Sequence, residues 1–353
     1  MKKTKNISLI LFAIVALQIG CLSSLQFEPR NDDPKFLLGQ DYFVRLDSTW
    51  TTEQAQKLLK IFKSISPDKS EQPSVWKISN EDFKSDIKIQ AQIGLRSVTI
   101  SSDVFVVDGS QSATSSDKRL FKTAVQFITE NGTNRPVIKR ILHERYGITV
   151  DVSSDVRQHV MLPAYAAHKR TPKAFSAIDN EDLMIFIAIL EDFPQALHKM
   201  PQLKYVISRD EDLGDGAAAK AWTGNGFIEF KKSVLDNAPI SEIRKILAHE
   251  KSHFLWTHLL PIQLKEDWIA LGGWYEDKGS EHGWSTNKKR AEFVTDYAFE
   301  KNPNEDMADS LAYYLVYPEK LRACNMAKYN FIHERIMYTY GKRYISPDML
   351  SGR

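Results

Sequence analysis

Two histidines, His249 and His253, stand four residues apart within a stretch that has a helical pattern. On a helix this spacing places both imidazoles on one face, one turn apart, as a shared metal ion requires. Ser241 is a candidate N-cap for this helix, and Pro261 limits its continuation. The apolar stripe that would face the core consists of Ile243, Leu247 and Phe254. The pattern therefore predicts an amphipathic helix that presents a pair of metal ligands.

Glu250 lies beside the paired imidazoles in the sequence His-Glu-Lys-Ser-His (249–253). From this position a carboxylate can reach a metal-bound water rather than the metal itself, which is the geometry of a general base. The alternative is a structural helix with one buried and one exposed histidine. The His-Glu pairs at 143–144 and 333–334 have no histidine at the fifth position, and they illustrate that alternative.

A third metal ligand has to come from elsewhere, because a catalytic zinc ion usually takes three protein ligands and leaves its fourth position to water. His258 follows His253 by five residues and would point away from the pair. Glu305 is the better candidate, since Pro303 marks the start of a second helix and Glu305 lies in its first turn. We therefore predict one Zn²⁺ per chain, bound by His249, His253 and Glu305.

The helix that begins near Pro303 carries small residues on the face of Glu305, which allows close packing against a neighbouring helix. Asp309, one turn after Glu305, can accept a hydrogen bond from the far nitrogen of a ligating imidazole and so fix its tautomer. The alternative for this stretch is an ordinary capping box between Asn302 and Glu305, with Asp306 and Asp309 in solvent near the positive helix end.

The composition limits the partners of the chain. It has 353 residues, 42% hydrophobic and 26% charged, which is typical of a globular protein large enough for two domains. Its 47 basic and 45 acidic side chains give a formal net charge of only +2. So weak a charge does not steer a protein onto nucleic acid or an anionic bilayer, and we predict no nucleic-acid partner.

The N-terminal segment 1–21 has the character of a signal peptide. A lysine-rich start precedes an apolar run at 7–17 that is too short for a mature transmembrane helix. The run leads to Gly20 and Cys21, and a small residue before such a cysteine resembles a bacterial lipoprotein signal. We expect an exported lipoprotein of the bacterial cell envelope, facing the periplasm or the cell surface, whose one membrane attachment is a lipid on Cys21. The alternative is secretion after cleavage nearby.

Segment 22–40 is polar and contains Pro29 and Pro34, which suits a tether without a packed core. The chain has two cysteines, whereas an exported domain that relied on disulfides would carry several. If Cys21 is acylated, Cys324 is a lone thiol, for which we predict a packing role.

After the tether, the sequence predicts a non-catalytic N-terminal α/β domain at 41–149 and a catalytic domain at 150–353. Helices are predicted at 50–64, 120–128, 137–145 and 183–190, and strands at 98–100, 104–107, 205–208 and 227–230. The similar words Ile-Leu-His-Glu-Arg (141–145) and Phe-Ile-His-Glu-Arg (331–335) leave two interpretations open, namely chance and a duplicated fold whose first copy is degenerate.

Three stretches of the second half resemble a known family. They are Leu-Ala-His-Glu-Lys-Ser-His-Phe-Leu-Trp (247–256), the segment 293–315 that contains Glu305, and the segment 318–336. They are similar to the gluzincins, zinc peptidases with two histidines and a glutamate, and among these to proteins like the anthrax lethal factor catalytic domain. The resemblance covers roughly 227–341. It implies an α+β, zincin-like metallopeptidase domain.

The resemblance also implies peptide-bond hydrolysis, in which zinc polarises the scissile carbonyl and a water held by Glu250 attacks it. It implies a tyrosine that stabilises the oxyanion shortly before the glutamate ligand, and Tyr297 fits this role with one residue more than the usual spacing. A buried packing tyrosine is the alternative. Relatives bind the substrate backbone along an edge strand before the metal helix, and 227–230 occupies that place.

The sequence therefore predicts an exported zinc endopeptidase whose partner is a peptide or protein substrate. The rival from another class is a catalytically silent lipoprotein that keeps the fold and acts as a binding or scaffold module. Glu250 argues against it, because a purely structural metal site has no use for a base. A third interpretation is a hydrolase of a non-peptide amide, which the resemblance disfavours.

Overall fold

The computed structural model describes residues 32–65, 74–81, 91–94, 96–105, 114–130, 135–170, 175–210 and 216–339. The predicted signal peptide with Cys21, and the first part of the predicted tether, lie outside the described residues. Within these ranges, no helix combines the length and the apolar character that crossing a bilayer would require.

The first half of the chain builds a small mixed sheet between helices. Helices α1–α4 are Pro34–Tyr42, Thr52–Ile65, Thr114–Glu130 and Arg135–Tyr146. Strands β1–β4 are Val44–Leu46, Ser74–Ser79, Ala91–Gly94 and Ser97–Ser101. The strand order is β1-β2-β4-β3, in which β1, β2 and β4 run parallel and β3 is antiparallel to β4.

The second half contains a second mixed sheet and most of the helices. Helices α5–α14 are Ser154–Val156, Leu162–Ala167, Asn180–Leu190, Lys232–Asn237, Ile240–Phe254, Ile262–Leu271, Asp296–Glu300, Pro303–Val316, Pro318–Cys324 and Met326–Phe331. Strands β5–β8 are Phe175–Ser176, Tyr205–Arg209, Ala219–Trp222 and Phe227–Lys231, in the order β5-β6-β8-β7. A separate hairpin pairs β9 (Trp274–Glu276) with β10 (Trp284–Thr286).

Shorter helical turns link these elements. Turns of the 3-10 type are found at Ser102–Val104, Gln195–Leu197 and Arg290–Glu292. Wider turns of the π type are found at Arg157–Met161, Leu255–Leu259 and Ile332–Tyr338.

Three strands of each sheet share one arrangement, whereas the fourth differs, because β1 is parallel to β2 and β5 is antiparallel to β6. In each, a central strand (β4 or β8) pairs in parallel with an earlier strand (β2 or β6) and antiparallel with its own hairpin partner (β3 or β7). Thr149 makes a parallel bridge to Tyr205 on β6, in the position where β1 pairs with β2 in the first sheet. A match in order and direction favours duplication over chance as the origin of the similar sequence words.

The predicted α+β fold is confirmed, since helices pack around small mixed sheets in both halves. Apolar side chains from the two halves form one continuous core, to which Leu38, Trp76, Phe186, Leu247 and Leu311 belong. The helix that carries the histidine pair, α9, packs against α12 and against β7. The helix with the histidine pair therefore lies beside a mixed sheet and against a second helix, α12.

Most predicted elements are observed, usually a few residues longer than expected, but two expectations need correction. The described part of the segment 22–40, residues 32–40, does join a packed core, because Asp33 caps a helix that begins at Pro34 and buries Leu38 completely. The predicted strand 104–107 is replaced at Val104 by a 3-10 turn, whose first turn is capped by the Ser101 hydroxyl. Residues 106–107 lie outside the described residues.

Candidate metal centre

Helix α9 is held in place by its apolar face. The side chains of Ile243, Leu247 and Phe254 are all nearly inaccessible to solvent, as their spacing predicts. The helix begins one residue before Ser241, however, and Ser241 does not cap it. Pro239 precedes the first turn instead, and its carbonyl accepts hydrogen bonds from two amide groups in that turn.

The two imidazoles of α9 and one carboxylate of α12 converge. His249 Nε2 and His253 Nε2 lie 3.1 Å apart. Glu305 Oε2 lies 3.2 Å from the first nitrogen and 3.3 Å from the second. In the described part of the chain, these three residues form the group of His, Cys, Asp or Glu side chains that could hold a metal ion.

The hydrogen bonds behind the imidazoles determine which nitrogens face the centre. His249 Nδ1 donates to Asp309 Oδ1 at 2.8 Å, and His253 Nδ1 donates to Asn304 Oδ1 at 3.2 Å. Both Nε2 atoms therefore turn their lone pairs towards Glu305. The oxygen of Glu305 that they meet is buried and lacks a hydrogen bond in acceptable geometry. Three electron-rich atoms at this distance repel one another unless a cation lies between them.

The donor set fits a zinc ion. Zinc binds imidazole nitrogen and carboxylate oxygen at about 2.0–2.2 Å in tetrahedral geometry, which separates neighbouring ligand atoms by about 3.3 Å. The observed separations of 3.1 to 3.3 Å match this value. The protein thus presents three ligand atoms with the spacing that a four-coordinate metal site requires, and a fourth position is left to water or substrate.

Electrostatics favour positive charge at the centre of this triangle. Burial lowers the pKa of His249, but the hydrogen bond to Asp309 and the nearby carboxylates of Glu305 and Glu250 outweigh it and raise the pKa to about 10. Burial raises the pKa of Glu305, but its contacts with His249 and His253 outweigh burial and hold this pKa well below its usual value. A proton on His249 or a metal ion satisfies the site, so metal binding at neutral pH must displace that proton.

Glu250 lies next to the ligand set but is not part of it. Its side chain is buried, and this burial raises the pKa of its carboxyl group. The backbone N–H of Ala221 on β7 lies near the carboxylate and lowers its pKa, which partly offsets the effect of burial. This contact joins the candidate base to the edge of the sheet.

Tyr297 and His258 differ in their relation to the centre. The Tyr297 side chain is 46% exposed, and its ring centre lies 6.2 Å from that of His249, so it is not a buried packing tyrosine. His258 instead contacts the carbonyl of Thr223 at 3.0 Å, away from the ligand set, as its position in the helix predicts.

Helix α12 brings Glu305 into reach of the histidines. The Asn302 side chain caps the helix by accepting hydrogen bonds from the N–H groups of Asn304 and Glu305. The Glu305 carboxylate lies beside the imidazoles, although a capping box would require it to return to Asn302. Ala308 and Ala312 are buried on the same face and let α12 approach α9 closely.

Several supporting residues were not found from the sequence. Asn304 orients His253, and Thr295 donates a short hydrogen bond to the second oxygen of Asp309. Both stand inside the segment 293–315, where the family resemblance could have drawn attention to them.

A buried ion pair supports the same helix from behind. Asp306 accepts hydrogen bonds from Lys328 Nζ at 2.6 Å and from Trp274 Nε1 at 3.1 Å. Lys328 Nζ also lies 3.7 Å from the centre of the Phe293 ring. Spacing along the chain gives no indication of this pair, because its members come from separate helices.

The structure contradicts the prediction that residues 227–230 form an edge strand for the substrate backbone. Residues 227–230 belong to β8, which has β6 on one side and β7 on the other. A strand with two neighbours has no free backbone groups to offer. The edge strand beside the metal helix is β7, Ala219–Trp222, which forms the other arm of the hairpin.

Cys324 has the local role that the sequence suggested. Its thiol is partly buried and contacts the carbonyl oxygen of Ala291 at 3.2 Å. Burial raises its pKa, as expected for a packed thiol rather than a nucleophile.

Comparisons with known proteins leave the function to be argued from this geometry. No family model and no curated protein matches the sequence. Among solved structures, the chain is similar to a protein of Bacteroides caccae ATCC 43185 that is provisionally described as a zinc-binding metallo-peptidase. The two are 18% identical, the match covers 59% of this chain and 84% of the other, and the TM-score is 0.26.

Proposed function

We propose that this protein is a zinc-dependent endopeptidase, exported and attached to a bacterial cell envelope. The observation that carries the proposal is the convergence of His249, His253 and Glu305 on one point, with the candidate base Glu250 beside them. Two imidazoles, one carboxylate and an adjacent carboxylic acid form the donor set of a hydrolytic zinc site with an open fourth position.

The residues of the site have separate roles in the proposed hydrolysis. When bound, a zinc ion supplies polarisation of the scissile carbonyl and a lowered pKa for a bound water. Asp309 keeps the lone pair of His249 on Nε2 and thereby orients this ligand. Glu250 takes the proton from the attacking water and passes it to the leaving amine. Because burial raises the pKa of Glu250, its carboxyl group holds that proton more readily than an exposed glutamate would.

Tyr297 is our candidate for a second stabilising group. Its exposed side chain lies near His249, where the phenol can donate a hydrogen bond to the oxygen that becomes negative during attack.

The edge strand β7 offers a place for the substrate backbone. Among the described residues, β7 pairs with β8 on one side only. An extended peptide can add to the other side by main-chain hydrogen bonds, as in β-augmentation. Because the Ala221 N–H lies near the Glu250 carboxylate, a peptide bound on this edge would pass close to the candidate base.

The test measures zinc content and cleavage together. The protein without residues 1–21 is purified, its zinc is quantified by mass spectrometry, and a denatured protein substrate is offered to the wild type and to Glu250→Gln. We expect about one zinc per chain in both, and a loss of cleavage on the order of a hundredfold or more in the variant. Glu266→Gln, a change at an exposed glutamate, is the matched control and should cleave normally.

Two other results would contradict the proposal, the first in favour of a scaffold and the second against the role of Glu250. If the wild type binds zinc stoichiometrically but cleaves no peptide or denatured protein, the site is structural. If Glu250→Gln cleaves as fast as the wild type, Glu250 is not the base.

Attachment to the envelope is tested separately. The full chain is expressed in a bacterial host with radiolabelled palmitate, and we expect label in the wild type and none in Cys21→Ala. An unlabelled wild-type protein in the culture medium would instead indicate simple secretion.

A further inference from the structure

A positive charge lies close to the candidate metal centre. Lys301 connects the helix of Tyr297 to the helix of Glu305. Its Nζ lies 5.3 Å from the centre of the Tyr297 ring, and that ring centre lies 6.2 Å from the ring of His249. One aromatic ring therefore separates the ammonium group from a predicted metal ligand.

His282 holds this ammonium group. Lys301 Nζ lies 2.9 Å from His282 Nε2, and because an ammonium group can only donate, the imidazole accepts this hydrogen bond in its neutral form. His282 belongs to the turn between β9 and β10, so the hairpin holds the lysine side chain from a separate segment of the chain. The fold therefore fixes the position of the Lys301 ammonium group.

The charge of Lys301 is not neutralised within the part of the chain that the structure describes. No carboxylate there comes within ion-pair distance of Nζ. Glu281 approaches His282 at 3.9 Å, but its side chain is 87% exposed, so its effect is strongly screened. The carboxylates of the centre have other partners, since Glu305 meets two imidazoles and Asp309 accepts from His249.

We propose that Lys301, oriented by His282, binds a carboxylate of the substrate and makes the enzyme select peptides with an acidic group near the scissile bond. This inference rests on the proposed peptidase function and names its substrate class. An extended peptide advances about 3.3 Å per residue, so a side chain within two or three residues of the scissile bond reaches the ammonium group. The carboxylate can be that of a glutamate or aspartate, or the free end of a short peptide.

The experiment uses a peptide that the wild type cleaves, capped at both ends and prepared with Glu or Gln at each of the three positions on either side of the scissile bond. A further pair carries a free or an amidated C-terminus. The value of kcat/KM is measured for the wild type, Lys301→Gln, Lys301→Glu and the control Lys278→Gln, which changes an exposed lysine of the same hairpin.

We expect the wild type and the control to prefer the acidic peptide by about tenfold at one position, which is typical of a charged hydrogen bond in a partly exposed site. Lys301→Gln should remove this preference and Lys301→Glu should reverse it, with zinc content unchanged. A preference for the free C-terminus alone, lost in the same variants, identifies the chain end as the carboxylate.

Two results would overturn the inference. A wild type that cleaves Glu and Gln peptides and both C-terminal forms equally well has no carboxylate site. A preference that persists in Lys301→Gln belongs to another residue. In both cases the protein is still a peptidase, whereas failure to cleave any peptide would refute the proposed function together with this inference.

Discussion

His249 Nδ1 donates a hydrogen bond of 2.8 Å to Asp309 Oδ1, and this contact between α9 and α12 leaves the other nitrogen of the imidazole for a metal. Asp309 is itself fixed, because its second oxygen accepts a short hydrogen bond from Thr295. A carboxylate held from two sides orients the imidazole before any metal arrives. The ligand set is therefore preorganised by residues that never touch the ion.

Replacing Asp309 by alanine tests this preorganisation. Without the carboxylate, His249 can rotate or take the other tautomer, and we expect zinc affinity to fall by about ten- to a hundredfold. The affinity is measured by competition with a chromogenic chelator at pH 7. Asp210→Ala, a change at an exposed aspartate, should leave it unchanged. Wild-type affinity in Asp309→Ala would show that Asp309 has no role in holding His249.

The metal triangle was accessible from the sequence because it follows local rules. Helical spacing places His249 beside His253, and the number of ligands that zinc needs directs attention to an acidic residue at the start of another helix. The structure brings Glu305 to that point. The apolar stripe of α9 can be predicted from the sequence equally well, since it depends on periodicity alone.

What the sequence did not yield depends on contacts between distant segments. The run 227–230 has the composition of a strand, but only the pairing of β8 with both β6 and β7 shows that it is central. Leu38 lies in the segment 22–40, whose polar composition and prolines predict a tether, whereas its burial comes from the tertiary core. No local pattern predicts the ion pair of Asp306 and Lys328, because its two members lie in different helices.

Tyr297→Phe tests the assignment of the oxyanion donor. The substitution keeps the ring beside His249 and removes only the hydroxyl group, so zinc content and KM should stay close to wild type. We expect kcat to fall by about a hundredfold, the typical effect of losing one such donor. Tyr275→Phe, at another exposed tyrosine of the region, serves as the control. An unchanged kcat would assign Tyr297 to the surface rather than to the reaction.

Lys328→Met tests the buried ion pair behind Glu305. Burial lowers the pKa of Lys328 and raises that of Asp306, so each charged group depends on the other. Removing the lysine leaves the Asp306 carboxylate without its main partner, and we expect the free energy of unfolding in urea to fall by about 3–5 kcal/mol. Lys320→Met, at an exposed lysine, should change it by less than about 0.5 kcal/mol. Equal stability of wild type and Lys328→Met would mean that Asp306 finds another donor.

His198 should make the fold sensitive to acid. Its side chain is 3% exposed, and its Nε2 donates to the carbonyl of Phe193 at 3.0 Å. Burial, helped by the charges of Arg145 and Lys251, outweighs the attraction of Glu191 and lowers the pKa of His198 from 6.5 to about 4. Because the folded pKa is the lower one, the neutral imidazole contributes stability that is complete above pH 6.5 and is lost as the pH falls towards 4.

The corresponding measurement compares urea unfolding of the wild type and His198→Gln at pH 7.5 and pH 5, with chelator present in every sample. The two proteins share all other titrating groups, so the difference between their pH dependences reports His198 alone. The wild type should lose about 2 kcal/mol more than the variant between these pH values, because its unfolded chain takes up a proton that the folded chain refuses. Parallel losses in the two proteins would mean that His198 titrates alike in the folded and unfolded chains, and that its burial does not control its proton.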